Sequence, residues 1–330
     1  MNPLLQVENL TVRFPLRGSR RFGRHEPEHI IALDGVSLDL GERETLGIVG
    51  ESGSGKTTLA RAVVGTAPIR EGRVLWRGSD LSGASPASRR QVRREMSMIF
   101  QNPLASLNPC MTVGQIIAEP CRVHEPKASG AEIRKKVDEA MEWVGLTPGM
   151  ANRYPHEFSG GQCQRVGIAR ALISRPKLMI CDEPVASLDV SIRAQIVNLL
   201  GQLQEEFGIS LIMISHDLSV IRHISHRILV MYLGNVMETV SSEHLLKSSR
   251  HPYTRTLIES VPVPDPKIQK SRRGPLILGD PPSMKNPPPG CRFATRCPIA
   301  RKDCATSRPA LLQAGPDHWL ACPHAEKTPT

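Results

Sequence analysis

The sequence predicts an α/β fold, on three observations. A glycine-rich loop sits between an apolar strand and a helix, a second buried strand ends in adjacent carboxylates, and β-prone runs alternate with helical patterns along most of the chain. The first is the most specific. Gly50-Glu51-Ser52-Gly53-Ser54-Gly55-Lys56-Thr57 fits G-x-x-x-x-G-K-[ST] at every fixed position, entered by the strand pattern of residues 46–49 and left by the helical pattern of residues 58–64. Glycines let the backbone approach a polyphosphate, so that N–H groups and the positive end of the helix face its charge. Lys56 supplies a mobile charge for the β- and γ-phosphates, and the Thr57 hydroxyl suits a Mg²⁺ ligand.

With 330 residues, 40% hydrophobic and 22% charged, the chain has material for roughly two domains and their cores. The aromatic fraction of 4% argues against a base-stacking nucleic-acid surface. A formal charge of +10 raises nucleic acid as a partner, but the excess is spread over Arg13, Arg17, Arg20, Arg21 and Arg24, over Arg89, Arg90, Arg93 and Arg94, and over a basic tail. That distribution reads as solvated faces, to which an anionic membrane surface would also be suited. The N-terminal residues lack a signal-peptide pattern, and no apolar run approaches the roughly 18 residues of a membrane span, so a cytoplasmic location is expected. There, eight cysteines read as metal ligands or small buried residues rather than disulfides.

In chain order, residues 5–14 and 32–40 read as strands joined by an Arg-rich surface loop, and Phe14, ending the first, is either core or an adenine-stacking ring. Residues 72–76 and 97–100 read as short strands, the second running into Gln101, a polar side chain at a strand end where α/β folds place ligand contacts. Residues 113–145 turn helical, clearest at Ile133, Val137, Met141 and Val144. Ser159-Gly160-Gly161-Gln162 opens the next helix and forms a second anion site, hydroxyl beside bare N–H groups. Residues 177–183 form a buried strand ending in Asp182, placed for Mg²⁺, and Glu183, placed to orient or deprotonate water. Asp189 precedes an amphipathic helix stopped by Gly208, and the strand of residues 209–214 runs into Ser215 and His216, placed as Gln101 is.

These residues, in this order and spacing, resemble the ATP-binding subunits of ABC transporters over residues from about 5 to 240. Gly50 to Thr57 resembles the Walker A loop, Gln101 the Q-loop, Ser159 to Gln162 the signature, Leu178 to Asp182 Walker B, Glu183 the catalytic glutamate, Ser187 to Asp189 the D-loop, His216 the switch histidine and Phe14 the A-loop aromatic. One departure is Phe158, where the signature usually has Leu. Val49 to Lys56, Phe100 to Pro103, Ser106 to Pro109, His251 to Thr254 and the cysteine tail are similar to the oligopeptide/dipeptide importer branch, and within it to the second of the paired dipeptide-permease ATPases.

The resemblance implies a P-loop NTPase (RecA-like) core with an antiparallel β subdomain, a helical subdomain at about 102–160 and a C-terminal Cys-rich extension. Residues 1–240 would be the ATPase domain and 241–330 the extension. It implies catalytic Glu183 and His216, and ATP contacts from Phe14, Gly50, Glu51, Ser52, Gly53, Ser54, Gly55, Lys56, Thr57, Thr58, Gln101, Ser159, Gly160, Gly161, Gln162 and Asp189. Mg²⁺ would be held by Thr57, Gln101 and Asp182. It further implies a head-to-tail dimer with a second related ATPase, two transmembrane permease subunits whose coupling helix would enter a groove formed in part by residues 102–120, an extracytoplasmic solute-binding protein, no nucleic-acid partner, and a place on the cytoplasmic face of the inner membrane.

Beyond the domain, nine prolines in residues 262–289 read as an extended linker. The tail of residues 290–325 carries Cys291, Cys297, Cys304 and Cys322, spaced C-x5-C-x6-C-x17-C. Four clustered thiols suggest a metal site: zinc without its usual C-x2-C knuckles, or an iron–sulfur cluster in an unusual spacing. The family resemblance implies a [4Fe-4S] cluster. Cys110, Cys121, Cys163 and Cys181 lack such grouping and read as ordinary buried or half-buried residues.

Overall fold

The apolar runs that carry the sequence pattern become the strands of two sheets. The structure is a computed structural model that describes residues 3–16, 29–261 and 282–325. Arg17, Arg20, Arg21 and Arg24, and most of the proline-rich linker expected at 262–289, lie outside the described residues. The strands are β1 (Leu5–Pro15), β2 (His29–Leu40), β3 (Thr45–Val49), β4 (Glu71–Trp76), β5 (Ser79–Asp80), β6 (Met96–Ile99), β7 (Leu178–Asp182), β8 (Ser210–Ser215), β9 (Arg227–Tyr232), β10 (Asn235–Ser241), β11 (Leu312–Gly315) and β12 (His318–Leu320). The helices are α1 (Lys56–Val63), α2 (Pro86–Glu95), α3 (Pro103–Ser106), α4 (Val113–His124), α5 (Gly130–Trp143), α6 (Gly160–Leu172), α7 (Val190–Phe207), α8 (Leu218–Ile224), α9 (Leu245–Ser248) and α10 (Pro252–Ser260). Two compact units result, the first centred on Gly83–Ser215 and the second made of Leu5–Asp39, Leu46–Ser82 and His216–Thr330.

In the first unit β6, β7 and β8 run parallel in that order, Ile99 level with Cys181 and Asp182 with Ile214. Every residue of β7 and β8 is buried, as expected of parallel strands covered on both faces. The helical stretch expected over residues 113–145 is two helices. Pro126 cannot continue the first, and Ser129 starts the second by accepting from the Glu132 N–H while Glu132 accepts from Ser129, a capping box. α4 buries Val113, Ile116, Ile117 and Cys121, and α5 buries Val137, Ala140 and Met141. Gly208 ends α7 at φ 63°, where a side chain would be strained. Nearby, the Arg175 guanidinium lies 5.0 Å from the Trp143 ring and 5.6 Å from the Phe207 ring, and the two rings meet edge to face.

The second unit contains the expected antiparallel sheet, order β2-β1-β4-β5, and a sheet of order β11-β12-β10-β9-β3 in which β3 and β9 are parallel. The β9–β10 hairpin turns through Leu233 (φ 42°) and Gly234 (φ 76°), the paired positive angles of a tight hairpin. The chain after residue 282 is tied down at four points. Arg292 pairs with Asp34 of β2, Arg308 reaches the same carboxylate at 2.9 Å, Arg296 pairs with Glu51 at 2.9 Å, and His318 of β12 lies 2.7 Å from Glu238 of β10. Burial alone would raise the Asp34 carboxyl, but hydrogen bonds and charges from Arg292 and Arg308 outweigh it and hold it below its ordinary value. Within the basic tail, Arg292 and Arg296 are not on a solvated face, being buried where acidic partners offset their desolvation, whereas Lys285, Arg301, Lys302 and Arg308 are exposed.

Glu238 is wholly buried and accepts from the Arg250 N–H at 2.7 Å and the His251 N–H at 3.2 Å as well as meeting His318. Removing this carboxylate takes away the acceptor of the His251 and Arg250 N–H groups and the partner of the buried His318 ring. We expect Glu238→Ala to cost about 3 kcal/mol of stability, read as a lower unfolding midpoint, with faster proteolysis within residues 282–325 than in the wild type.

Candidate active site

In the second unit, β3 feeds the glycine loop and Gly55 caps α1 at φ 100°. A Cβ at Gly55 would sit 2.5 Å from the Ala32 carbonyl oxygen, and one at Gly50 would sit 2.1 Å from that of Met231, so backbone packing alone demands glycine at both. Lys56, only 5% exposed, donates from Nζ to the carbonyls of Gly50 (2.7 Å) and Glu51 (2.9 Å) and to Ser54 Oγ (3.3 Å). The ammonium is thus held at the centre of the loop. Ser52 and Gly53 are exposed, while Thr57 and Thr58 are half-buried in the first turn of α1. This cradle fits a polyphosphate: backbone N–H groups, a helix N-terminus and a buried cation converge on it. Phe14, 37% exposed on β1, is not core. His216, after β8, is exposed, and Asp217 caps α8 by accepting from the Ser219 and Val220 N–H groups.

In the first unit the structure brings Gln101 and Glu183 together. Gln101, just past β6, donates from Nε2 to Glu183 Oε2 at 2.8 Å. Asp182 is buried at the end of β7, and Glu183 has the left-handed backbone angle φ 46° with its N–H bonded to the Ile214 carbonyl at 2.9 Å. A non-glycine residue pays strain there, which is retained where geometry matters for chemistry. The side chain is turned off the strand and caught by Gln101.

Ser159 caps α6, its Oγ accepting from the Gln162 N–H at 3.3 Å while Gln162 Oε1 accepts from the Ser159 N–H at 3.0 Å. Ser159 and Gly160 are exposed and Gly161 is half-buried. The two glycines differ. A Cβ at Gly161 would come within 2.6 Å of Ile192 Cγ2 on α7, whereas one at Gly160 would meet Leu188 at an ordinary 3.6 Å. Phe158, the departure from the usual Leu, is buried, and Asp189 is exposed at the start of α7.

Cys291, Cys297, Cys304 and Cys322 line a single cavity with Phe293, Ile299 and Ala321. The Arg301 N–H donates to Cys304 Sγ at 3.5 Å, and the backbone N–H groups of Phe293, Ile299 and His324 favour the thiolate at Cys291, Cys297 and Cys322. Burial pushes the Cys297 thiol up to about 11 and raises Cys291 and Cys322 as well. Asp303 and His324, which the sequence did not single out, stand beside Cys304, their side chains 2.7 Å apart. Of the other cysteines, Cys121, Cys163 and Cys181 are buried, Cys181 being pushed up to about 12 by burial. Cys110 is exposed, against expectation, because it lies in the loop before α4, where Asn108 Oδ1 accepts its N–H.

Strand, phosphate loop, helix and a carboxylate-tipped parallel strand define a P-loop ATPase of the ATP-binding-cassette type. Residues 33–186 match the ABC transporter family, and residues 237–304 match the oligopeptide/dipeptide transporter C-terminal region. The chain is 53% identical to the oligopeptide transport ATP-binding protein OppF of Escherichia coli (strain K12), over 97% of this chain and 95% of that one. It is 47% identical to the putative oligopeptide transport ATP-binding protein YkfD of Bacillus subtilis (strain 168), over 97% and 95%. The dimeric post-hydrolysis structure of the ATP-binding cassette MJ0796 bound to ADP and Pi superimposes with a TM-score of 0.63 at 30% identity, covering 72% of this chain and 98% of that one. The chain belongs to the ATP-binding subunits of ABC transporters, in the oligopeptide/dipeptide branch, and it is an ATPase using ATP and Mg²⁺. Among the described residues no helix is long and apolar enough to cross a membrane.

The glycine pair separates packing from chemistry. We expect Gly160→Ala to keep or raise the unfolding midpoint, since alanine fits and favours helix by about 1 kcal/mol, yet to lower ATP turnover. Gly161→Val should lower the midpoint itself by driving a branched side chain into Ile192. Calorimetry and ATPase assay on both variants check this.

Proposed function

We propose that this chain energises uptake of di- and oligopeptides, working on the cytoplasmic face of the membrane with two transmembrane permease subunits, an extracytoplasmic solute-binding protein and a second related ATPase. In this reading residues 1–240 are the ATPase domain, with its helical part at 102–160, and 241–330 the extension. Glu183, turned off its strand and held by Gln101, is the observation that carries the catalytic assignment. As the water oxygen bonds to the γ-phosphorus, its proton passes to Glu183 and ADP departs with the bridging oxygen. Lys56, Thr58 and the loop N–H groups hold the phosphates, Phe14 offers its ring to adenine, and His216 completes the catalytic set. Thr57, Asp182 and Gln101 would hold Mg²⁺, which neutralises charge on the β- and γ-oxygens. Ser159, Gly160, Gly161, Gln162 and Asp189 serve the nucleotide bound by the other ATPase of a head-to-tail pair. Two exposed apolar side chains beside Gln101, Phe100 (44%) and Leu104 (51%), suit a permease helix.

A nucleic-acid partner is not favoured. The Arg cluster on α2 is engaged locally: Arg89 with the Ala84 carbonyl, Arg90 with that of Val123, Arg94 with Glu125.

We assign the four cysteines to a [4Fe-4S] cluster. Their convergence on one cavity, and the Arg301 N–H that donates to Cys304 Sγ, support a bound thiolate set. Zinc is the alternative, since Asp303, Cys304 and His324 hold their donor atoms within 4.8 Å of one another, a mixed set that zinc accepts.

Glu183→Gln should lower hydrolysis by about 100-fold or more while ATP binding stays within about three-fold; unchanged turnover removes Glu183 from the catalytic role. Affinity purification from the native membrane should bring down permease subunits, with about four irons and matching sulfide per chain. Nucleic acid without permease would overturn the transport reading, and zinc alone would overturn the cluster.

A further inference from the structure

Glu51 is an electrostatic liability. It is the second residue of a loop shaped to receive a polyphosphate, and an unneutralised carboxylate there would repel the ligand. The chain answers it from outside the loop. Both Glu51 oxygens face Nη1 of Arg296, at 2.9 and 3.2 Å, and Arg296 is only 6% exposed. The same nitrogen donates to the Tyr232 hydroxyl at 3.1 Å, and the guanidinium lies 5.8 Å from that ring. The Glu51 backbone is held as well, its N–H donating to the buried Tyr253 hydroxyl at 2.8 Å. Tyr232, Tyr253 and the wholly buried Phe293 pack as a triangle with ring centroids 4.7 to 5.3 Å apart, which fixes both hydroxyls and the turn at Ala294–Arg296. From Glu51 the path to the phosphates is one contact, since its carbonyl accepts from Lys56 Nζ. In the other direction it is one peptide bond, because Arg296 precedes Cys297.

We propose that Arg296 is a positioning residue of the phosphate loop, through which the four-cysteine loop sets nucleotide affinity. Arg296 neutralises Glu51, draws its carboxylate toward the tail and leaves the loop's inner face to the phosphates. A change at Cys297 displaces Arg296 and returns negative charge to the loop. The part concerning Cys297 rests on the four cysteines being a ligand set; the part concerning Arg296 and Glu51 does not.

The test is equilibrium binding of ATP to the full-length chain, with steady-state kinetics beside it. Losing a charge-assisted contact to a partly buried carboxylate should weaken ATP binding about ten-fold in Arg296→Met. KM for ATP should rise in parallel while kcat at saturation stays within about two-fold, a split that general loosening of the fold would not give. Adding Glu51→Gln to Arg296→Met should restore part of the loss, because the repelling charge is gone. Wild-type affinity in a folded Arg296→Met overturns the proposal. Arg296→Lys is the milder change should the first variant not fold; it should bind ATP about three-fold more weakly, and wild-type affinity there also overturns it. For the tail, Cys297→Ser should weaken ATP binding in the wild-type background and add nothing in Arg296→Met. Equal weakening in both backgrounds overturns the coupling. Metal analysis of the same samples keeps the two readings apart: wild-type protein without metal sinks the ligand set, whereas unchanged binding in the Arg296 variants sinks the link to the loop.

Discussion

Placing a carboxylate directly after Gly50 puts negative charge into a loop built to receive a polyphosphate, and much of the second unit is arranged to contain it. Arg296 can neutralise Glu51 only if it is buried and aimed, and burying a guanidinium requires a complete set of partners. Those partners come from distant parts of the chain: Tyr232 from the end of β9, Tyr253 from α10, Phe293 from the cysteine loop. The remaining ties of the tail, Arg292 and Arg308 to Asp34 and His318 to Glu238, fix the segment on either side of Arg296. Each replaces solvation of a charge by a paired contact. A tail with too little apolar surface for a core of its own is therefore ordered by ion pairs around a small aromatic cluster.

The same economy of placement is visible in the first unit. Glu183 adopts a backbone angle that its residue type disfavours, and the cost is met by the hydrogen bond to Ile214 and the catch from Gln101. A regular continuation of β7 would alternate Glu183 to the opposite face from Asp182. The left-handed angle instead leaves Glu183 at the strand tip within reach of Gln101, while Asp182 stays buried on the strand.

Elements were legible where the pattern was local. The phosphate loop, the buried β7 and the Gly208 stop of α7 follow from residues adjacent in sequence, and their boundaries agree within a residue or two. The break between α4 and α5 was also written locally, in Pro126 and the Ser129–Glu132 box, but the clearest apolar spacing, Ile133 to Val144, lies wholly on its C-terminal side and does not mark it. The β9–β10 hairpin was missed for a similar reason: its turn is Leu233-Gly234, without the Asn or Asp that usually announces such a turn. The β11–β12 hairpin had still less to show, since its strands are three and four residues long and gain their register from β10.

Contacts between distant residues had no such signature. Net charge counted Arg292, Arg296 and Arg308 as surplus, whereas their acids lie more than 240 positions away in sequence. Gly161 shows the converse limit. Its motif assigns it to an anion site, but its lack of a side chain is already required by Ile192, 31 positions on, so the motif cannot separate binding from packing at that residue. Gly160, beside it, carries no such packing demand. A motif is therefore a mixture of residues held by the ligand and residues held by the fold, and distances in the folded chain divide the two.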